Sequence, residues 1–131
     1  MTDRELLSKA KAASLNAYVP YSRFAVGAAL LAEDGSVVTG CNVENASYGL
    51  TLCAERNAIA AAVAAGHRRF RALAIAGGTA ENPAYPCGAC RQVMAEFCDA
   101  AFPVAIAPLD PGSGDVVTIP LGELLPRTFS L

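Results

Sequence analysis

Phe24-Ala25-Val26-Gly27-Ala28-Ala29-Leu30-Leu31-Ala32-Glu33-Asp34-Gly35-Ser36-Val37-Val38-Thr39-Gly40-Cys41-Asn42-Val43-Glu44 decides how the chain folds. Residues 24–32 are almost wholly apolar, the mark of a strand buried on both faces. Asp34-Gly35 is a strong hairpin turn signal. Val37 to Glu44 then reads as the returning strand. Outward from this hairpin, Asp3 to Ala17 places Leu6, Leu7, Ala10, Ala13, Leu15 and Ala17 in a helical pattern, with Asp3 as N-cap and Pro20 as the stop. Cys53 to Ala65 is an Ala-rich helix ended by Gly66, and Gly88 to Cys98 is a second core helix. Short apolar strands follow at Ala72 to Ala76, Val104 to Ala107 and Val116 to Ile119, and a helical turn at Leu121 to Leu125. The order α-β-β-α-β-α-β-β, closed by a short helix, predicts an α/β layered domain with the hairpin at one edge of a mixed sheet.

The 131 residues are one domain's worth, and no repeat, low-complexity tract or linker divides them, so residues 1–131 read as one domain. Hydrophobic residues make up 53% and charged residues 17%, which excludes a disordered chain. The net charge is −2, and the largest basic cluster is His67-Arg68-Arg69-Phe70-Arg71, a poor basis for tracking a nucleic-acid backbone. The longest apolar stretch, Ala58 to Ala65, is far short of the ~20 residues that span a bilayer. The charged start Met1-Thr2-Asp3-Arg4-Glu5 lacks the apolar region of a secretory signal, so the cytoplasm is expected. Five cysteines, an odd number, argue against a disulfide framework and for metal binding or catalysis.

Three of these cysteines stand at predicted helix starts, in Thr51-Leu52-Cys53-Ala54-Glu55-Arg56-Asn57 and Pro86-Cys87-Gly88-Ala89-Cys90-Arg91-Gln92. The exposed N–H groups of a helix start favour thiolate over thiol. Two thiolates from one helix and one from another supply three corners of a zinc tetrahedron. A structural site would add a fourth protein ligand, with Cys41, Cys98 and His67 as candidates, whereas a catalytic site leaves that corner to water. Glu55, turned about 200° around the helix from Cys53, is better placed to face the open corner than to ligate. Cys-x-Glu followed by Pro-Cys-x-x-Cys is the signature of zinc nucleobase deaminases in their three-cysteine form. Arg56 and Arg91, close in sequence to the ligands, are expected to donate hydrogen bonds to thiolate sulfurs and draw off charge. Asn42 and Glu44 share a strand face, where an amide and a carboxylate suit a sugar hydroxyl. Cys41 and Cys98 read as packing thiols and His67 as an exposed loop residue.

The chain resembles the short, homotetrameric type of cytidine deaminase. The resemblance rests on residues 24–30, on Gly40-Cys41-Asn42-Val43-Glu44-Asn45-Ala46-Ser47-Tyr48-Gly49, on both cysteine segments and on Leu124-Leu125-Pro126-Arg127-Thr128-Phe129. Arg127-Thr128 and the Asp110–Asp115 loop look individual. The resemblance implies a three-layer α/β/α sandwich around a five-stranded sheet and one Zn²⁺ per chain on Cys53, Cys87 and Cys90. It implies hydrolysis of cytidine and deoxycytidine to uridine and deoxyuridine, in pyrimidine salvage, with Glu55 as the acid–base. It further implies that Asn42 and Glu44 hold the ribose, mainly its 3′-OH, and that Phe24 packs on the pyrimidine. Backbone around Ala54 and Glu55 would read the base edge. Tyr48 and Phe129 would complete a neighbour's pocket in a homotetramer with shared active sites. A deaminase of blasticidin-type antibiotic nucleosides and a non-catalytic zinc-stabilised binding module are the competing readings. The block from Asn42 to Ser47 with Arg56-Asn57 disfavours the first, and Glu55 the second.

Overall fold

Thr2 starts the first helix: its side chain accepts the Glu5 N–H while the Glu5 carboxylate accepts the Thr2 N–H, a complete capping box. In the computed structural model, which describes residues 1–110 and 115–131, this helix is α1 (Asp3–Ser14). Thr2 rather than Asp3 is therefore the N-cap. The helix also stops three residues before Ala17, because the Tyr18 N–H donates to Asn42 and Tyr18 pairs with Val43. A hydrogen-bonding partner across the fold ends this helix before Pro20 can.

The hairpin forms as its turn residues require. β1 (Val26–Ala32) is buried along its whole length and β2 (Val37–Cys41) returns beside it. Gly35 takes φ +92°, a left-handed value that its lack of a Cβ permits, and the Asp34 carboxylate accepts the Ser36 N–H. α2 (Ala54–Ala64) follows a single 3₁₀ turn at Tyr48–Leu50. It closes in a Schellman motif, with the Gly66 N–H on Val63 and the His67 N–H on Ala62. β3 (Phe70–Gly77), α3 (Gly88–Phe97), β4 (Pro103–Ala107), β5 (Val117–Pro120) and α4 (Leu121–Leu124) complete the order. The Asp110–Asp115 loop falls largely on residues 111–114, outside the described residues.

The five strands form one mixed sheet in the order β2-β1-β3-β4-β5, with β3 and β4 parallel and the other pairs antiparallel. Side chains of successive strand residues point to opposite faces. Leu30, Leu73, Ile75, Val104 and Ile106 accordingly pack in one core with α2 and α3 residues such as Ala58, Cys90 and Met94. Ala29, Leu31, Ala74, Ala76 and Ala105 pack on the other face against Leu6, Leu7 and Ala10 of α1. This is the expected three-layer α/β/α arrangement.

Helix positions are set by missing side chains as much as by present ones. A Cβ on Gly27 would overlap the Ala10 carbonyl of α1. A Cβ on Gly40 would lie 2.6 Å from both the Ala54 carbonyl oxygen and the Ala58 nitrogen. The first turn of α2 therefore rests directly on the β2 backbone, and the Asn57 side-chain amide donates to the Cys41 carbonyl at 2.8 Å to hold it there. Gly40→Ala is expected to destabilise the protein by about 1–3 kcal/mol, the cost of overpacking a closed contact. Urea unfolding checks this as a lower midpoint at unchanged slope.

Candidate metal centre and substrate cleft

α2 and α3 both begin on cysteine. Cys53 and Cys87 occupy N-cap positions in extended backbone, and neither side chain caps its helix. Ser, Thr, Asp or Asn would usually sit there and bond the first-turn N–H groups. Cysteine leaves both sulfurs free to point outward at the positive helix ends. Cys90, in the first turn of α3, brings the third sulfur and is fully buried.

The sulfurs lie 3.8 Å apart for Cys53–Cys87 and 3.4 Å apart for Cys87–Cys90. Zinc–sulfur bonds of about 2.3 Å at tetrahedral angles require sulfurs about 3.8 Å apart. The donor set therefore fits zinc in both chemistry and spacing. Among the described residues no fourth Cys, His, Asp or Glu joins the group. Cys98 packs against the core under α2 and α3, with its thiol pushed up to about 12 by burial and by Asp99. His67 is half-buried rather than exposed, 3.9 Å from Asp34.

The Cys53 thiol is held down to about 5 by its hydrogen bond with Cys90, and by those from Arg56 and Cys87, against its own burial. Cys90 is shifted the opposite way, because it shares that hydrogen bond and is buried. Zinc binding releases such thiol protons. Arg56, three residues past Cys53 and on the same helix face, donates from a terminal guanidinium nitrogen to the Cys53 sulfur at 3.3 Å, as its spacing predicts. Arg91 departs from the expectation. One residue past Cys90, it is turned about 100° away around the helix. Its guanidinium donates to the Pro86 and Leu124 carbonyls, both at 2.7 Å, and so ties the ligand segment to α4 instead of touching sulfur.

Beside the cysteines lies a cleft of about 570 Å³, within the range of small-molecule sites. Cys53, Cys87, Ala54 and Glu55 line it together with Phe24, Asn42, Glu44 and Tyr48. Glu55 is 4% exposed, and burial raises its carboxyl above the ordinary range. Phe24 and Tyr48 are exposed aromatics. Asn42 lies just beyond the end of β2, where its side chain accepts the Val26 N–H at 2.9 Å and donates to the Phe24 carbonyl at 2.7 Å. Glu44 is buried; that burial opposes its charge, yet hydrogen bonds from Ser22, Tyr21 and Tyr48 hold its carboxyl below the ordinary value. Phe129 is 68% exposed and lies outside the cleft of its own chain. Sequence reasoning missed Ser22, Thr51 and the Asn82–Tyr85 segment of the wall. The last could have been suspected from Tyr85, an aromatic placed directly before the Pro86-Cys87 pair.

The model of the cytidine and deoxycytidylate deaminase zinc-binding region matches residues 1–106. The chain belongs to this family. It is 51% identical to the cytidine deaminase of Sporosarcina psychrophila over 99% of this chain and 93% of that one. It is 54% identical to the cytidine deaminase of Halalkalibacterium halodurans over 98% and 95% of the two chains. The crystal structure of cytidine deaminase from Burkholderia pseudomallei superposes with a TM-score of 0.91 at 51% identity, covering 98% of this chain and all of that one. In this deaminase chain the cysteine group is able to hold a metal ion, consistent with the zinc binding that the family's name denotes.

Separate substitutions distinguish ligand from acid–base. Glu55→Ala should retain about one zinc per chain while activity falls by at least the ~10²–10⁴ of a positioned acid–base group. Cys87→Ala should lose the metal. Metal analysis of the purified variants beside their rates reads both.

Proposed function

We infer that the protein is a zinc-dependent cytidine deaminase, hydrolysing cytidine and deoxycytidine to uridine and deoxyuridine with release of ammonia. The observation that carries this reading is Glu55, buried in the cleft beside three convergent cysteines to which it does not belong. Zinc bound by Cys53, Cys87 and Cys90 supplies Lewis acidity that lowers the pKa of water from 15.7 to about 7.

Glu55 takes a proton from the attacking water and passes it to ring N3 of the cytosine. Once the C4–O bond has formed, Glu55 takes the second proton, that of the new C4 hydroxyl, and delivers it to the amino nitrogen; the C4–N bond breaks, ammonia leaves and C4 keeps its oxygen as the carbonyl of uridine. A carboxyl raised by burial suits this exchange, since an acid–base works best with a pKa near the operating pH. Arg56 offsets the charge of three thiolates from its place on Cys53, and Arg91 braces the Pro86-Cys87 segment. Phe24 packs on the pyrimidine, and backbone at Ala54 and Glu55 reads its edge. Glu44 and Asn42 hold the 3′-hydroxyl. The depressed carboxyl of Glu44 keeps it an acceptor at neutral pH.

The 131 residues act as a single catalytic domain, with no helix long and apolar enough to cross a membrane among the described residues. A cytoplasmic enzyme of pyrimidine salvage is the setting that this reading favours. Assembly into a homotetramer with shared active sites is supported by the apolar surface next to the cleft. Val43, Tyr48, Leu50 and Leu52 are all more than 40% exposed there, an unusual grouping for a lone chain. Phe129, held through its carbonyl by Gln92 at 3.1 Å but outside its own cleft, is available to a neighbour's.

Loss of ultraviolet absorbance by cytidine on adding protein tests the activity; a zinc-loaded protein that leaves the spectrum unchanged contradicts it. In a sugar series, kcat/KM should be similar for cytidine and deoxycytidine and lower for 2′,3′-dideoxycytidine by up to ~10⁴–10⁵, the penalty of an unpaired polar site. For shared sites, chains carrying Glu55→Ala are co-expressed with chains ending at Pro126. The isolated mixed oligomer should be more active than the parents mixed after assembly, whereas a monomer or an inactive mixed tetramer contradicts sharing.

A further inference from the structure

Ser22 stands between the two groups assigned to sugar and base, and its hydrogen bonds join them. Glu44 Oε1 accepts the backbone N–H groups of Tyr21 at 3.0 Å and Ser22 at 3.1 Å. A carboxylate oxygen offers about two acceptor positions, so Oε1 is filled. Oε2 accepts the Ser22 hydroxyl and, at 3.5 Å, a long and weak hydrogen bond from the Tyr48 hydroxyl that an incoming hydroxyl can displace. The acceptor position open to a substrate hydroxyl is therefore on Oε2, beside Ser22.

Ser22 Oγ also accepts the Phe24 N–H at 3.0 Å. Its single proton is committed to Glu44, and its lone pair to the backbone of the residue proposed to pack on the pyrimidine. The short turn so closed carries Arg23 at φ 59°, a left-handed conformation that a residue with a side chain keeps only where its surroundings hold it. Asn42 bonds the Phe24 carbonyl from the other side. Glu44, Ser22, Phe24 and Asn42 thus form one hydrogen-bonded rim on the cleft.

We propose that Ser22 is a specificity-determining positioning residue. Its hydroxyl aims the open acceptor position of Glu44 at the sugar 3′-hydroxyl and fixes that carboxylate relative to Phe24, so the enzyme selects nucleosides that carry this hydroxyl. The proposal rests on the reading of Glu44 as the sugar's partner. Ser22 acts through Glu44 and takes no part in the proton transfers.

The test is the ratio of kcat/KM for cytidine over 2′,3′-dideoxycytidine in the zinc-loaded enzyme. Ser22→Ala should lower this ratio by about 10- to 100-fold, the range for one hydrogen bond to a charged group. Cytidine should lose more than the dideoxy analogue, with zinc still at about one per chain. Ser22→Thr, which keeps the hydroxyl, should hold the ratio within a few-fold of wild type. An equal loss on both substrates, or an unchanged ratio, overturns the proposal. If Ser22→Ala does not fold, Ser22→Cys, similar in shape but a weak donor, should give the same fall, and a preserved ratio there overturns it equally. Glu44→Gln separates the two layers. If it collapses the ratio while Ser22→Ala does not, Ser22 alone is excluded; if it leaves the ratio intact, the sugar reading fails and the proposal with it.

Discussion

The convergence of two helix starts on one set of sulfurs is the constraint that organises this molecule. Three thiolates within 4.8 Å of one another are a costly grouping unless a cation holds them, since each charge disfavours the next. The fold supports the grouping from several sides. Gly40 lets α2 settle on the β2 backbone, and Asn57 pins it to Cys41. Arg91 grips the Pro86 carbonyl before Cys87 and anchors it to α4. The helix ends and Arg56 supply positive potential where the sulfurs meet.

The same support leaves the sulfur group open toward the cleft. Cys90 is fully buried on the core side, whereas Cys53 and Cys87 border the cleft. Glu55 sits at that border, buried and on the first turn of the helix that carries Cys53. The cleft rim also takes in Ser22, Phe24, Val26, Asn42, Glu44 and Tyr48, the segments before β1 and after β2 being brought together by the hairpin register. Its polar groups are nearly all spoken for within the protein, as for Asn42 between Phe24 and Val26. Such a rim is preorganised, so a substrate meets few side chains that must still be ordered.

Much of this was legible from the chain. The hairpin declared itself through Asp34-Gly35, the buried strand through unbroken apolar residues, and the zinc centre through Cys-x-Glu and Pro-Cys-x-x-Cys. What failed to show was decided by distant partners. The end of α1 depends on Tyr18 finding Val43 and Asn42, a pairing that helical periodicity does not encode. Arg91 lies next to a ligand in sequence, yet its helical angle sends it to Leu124, thirty-three residues away. Ser22 is an ordinary loop serine until the fold brings Glu44 to it. Phe129 reads as a site residue only through resemblance, since its own cleft lies elsewhere.

The central claim is that three cysteines hold zinc and leave its fourth position to water. X-ray absorption at the zinc edge of the purified enzyme measures this directly. The account predicts three sulfur neighbours at about 2.3 Å and one oxygen at about 2.0 Å, the oxygen persisting in Glu55→Ala. Four sulfurs, a histidine nitrogen shell, or loss of the oxygen when Glu55 is removed would contradict it.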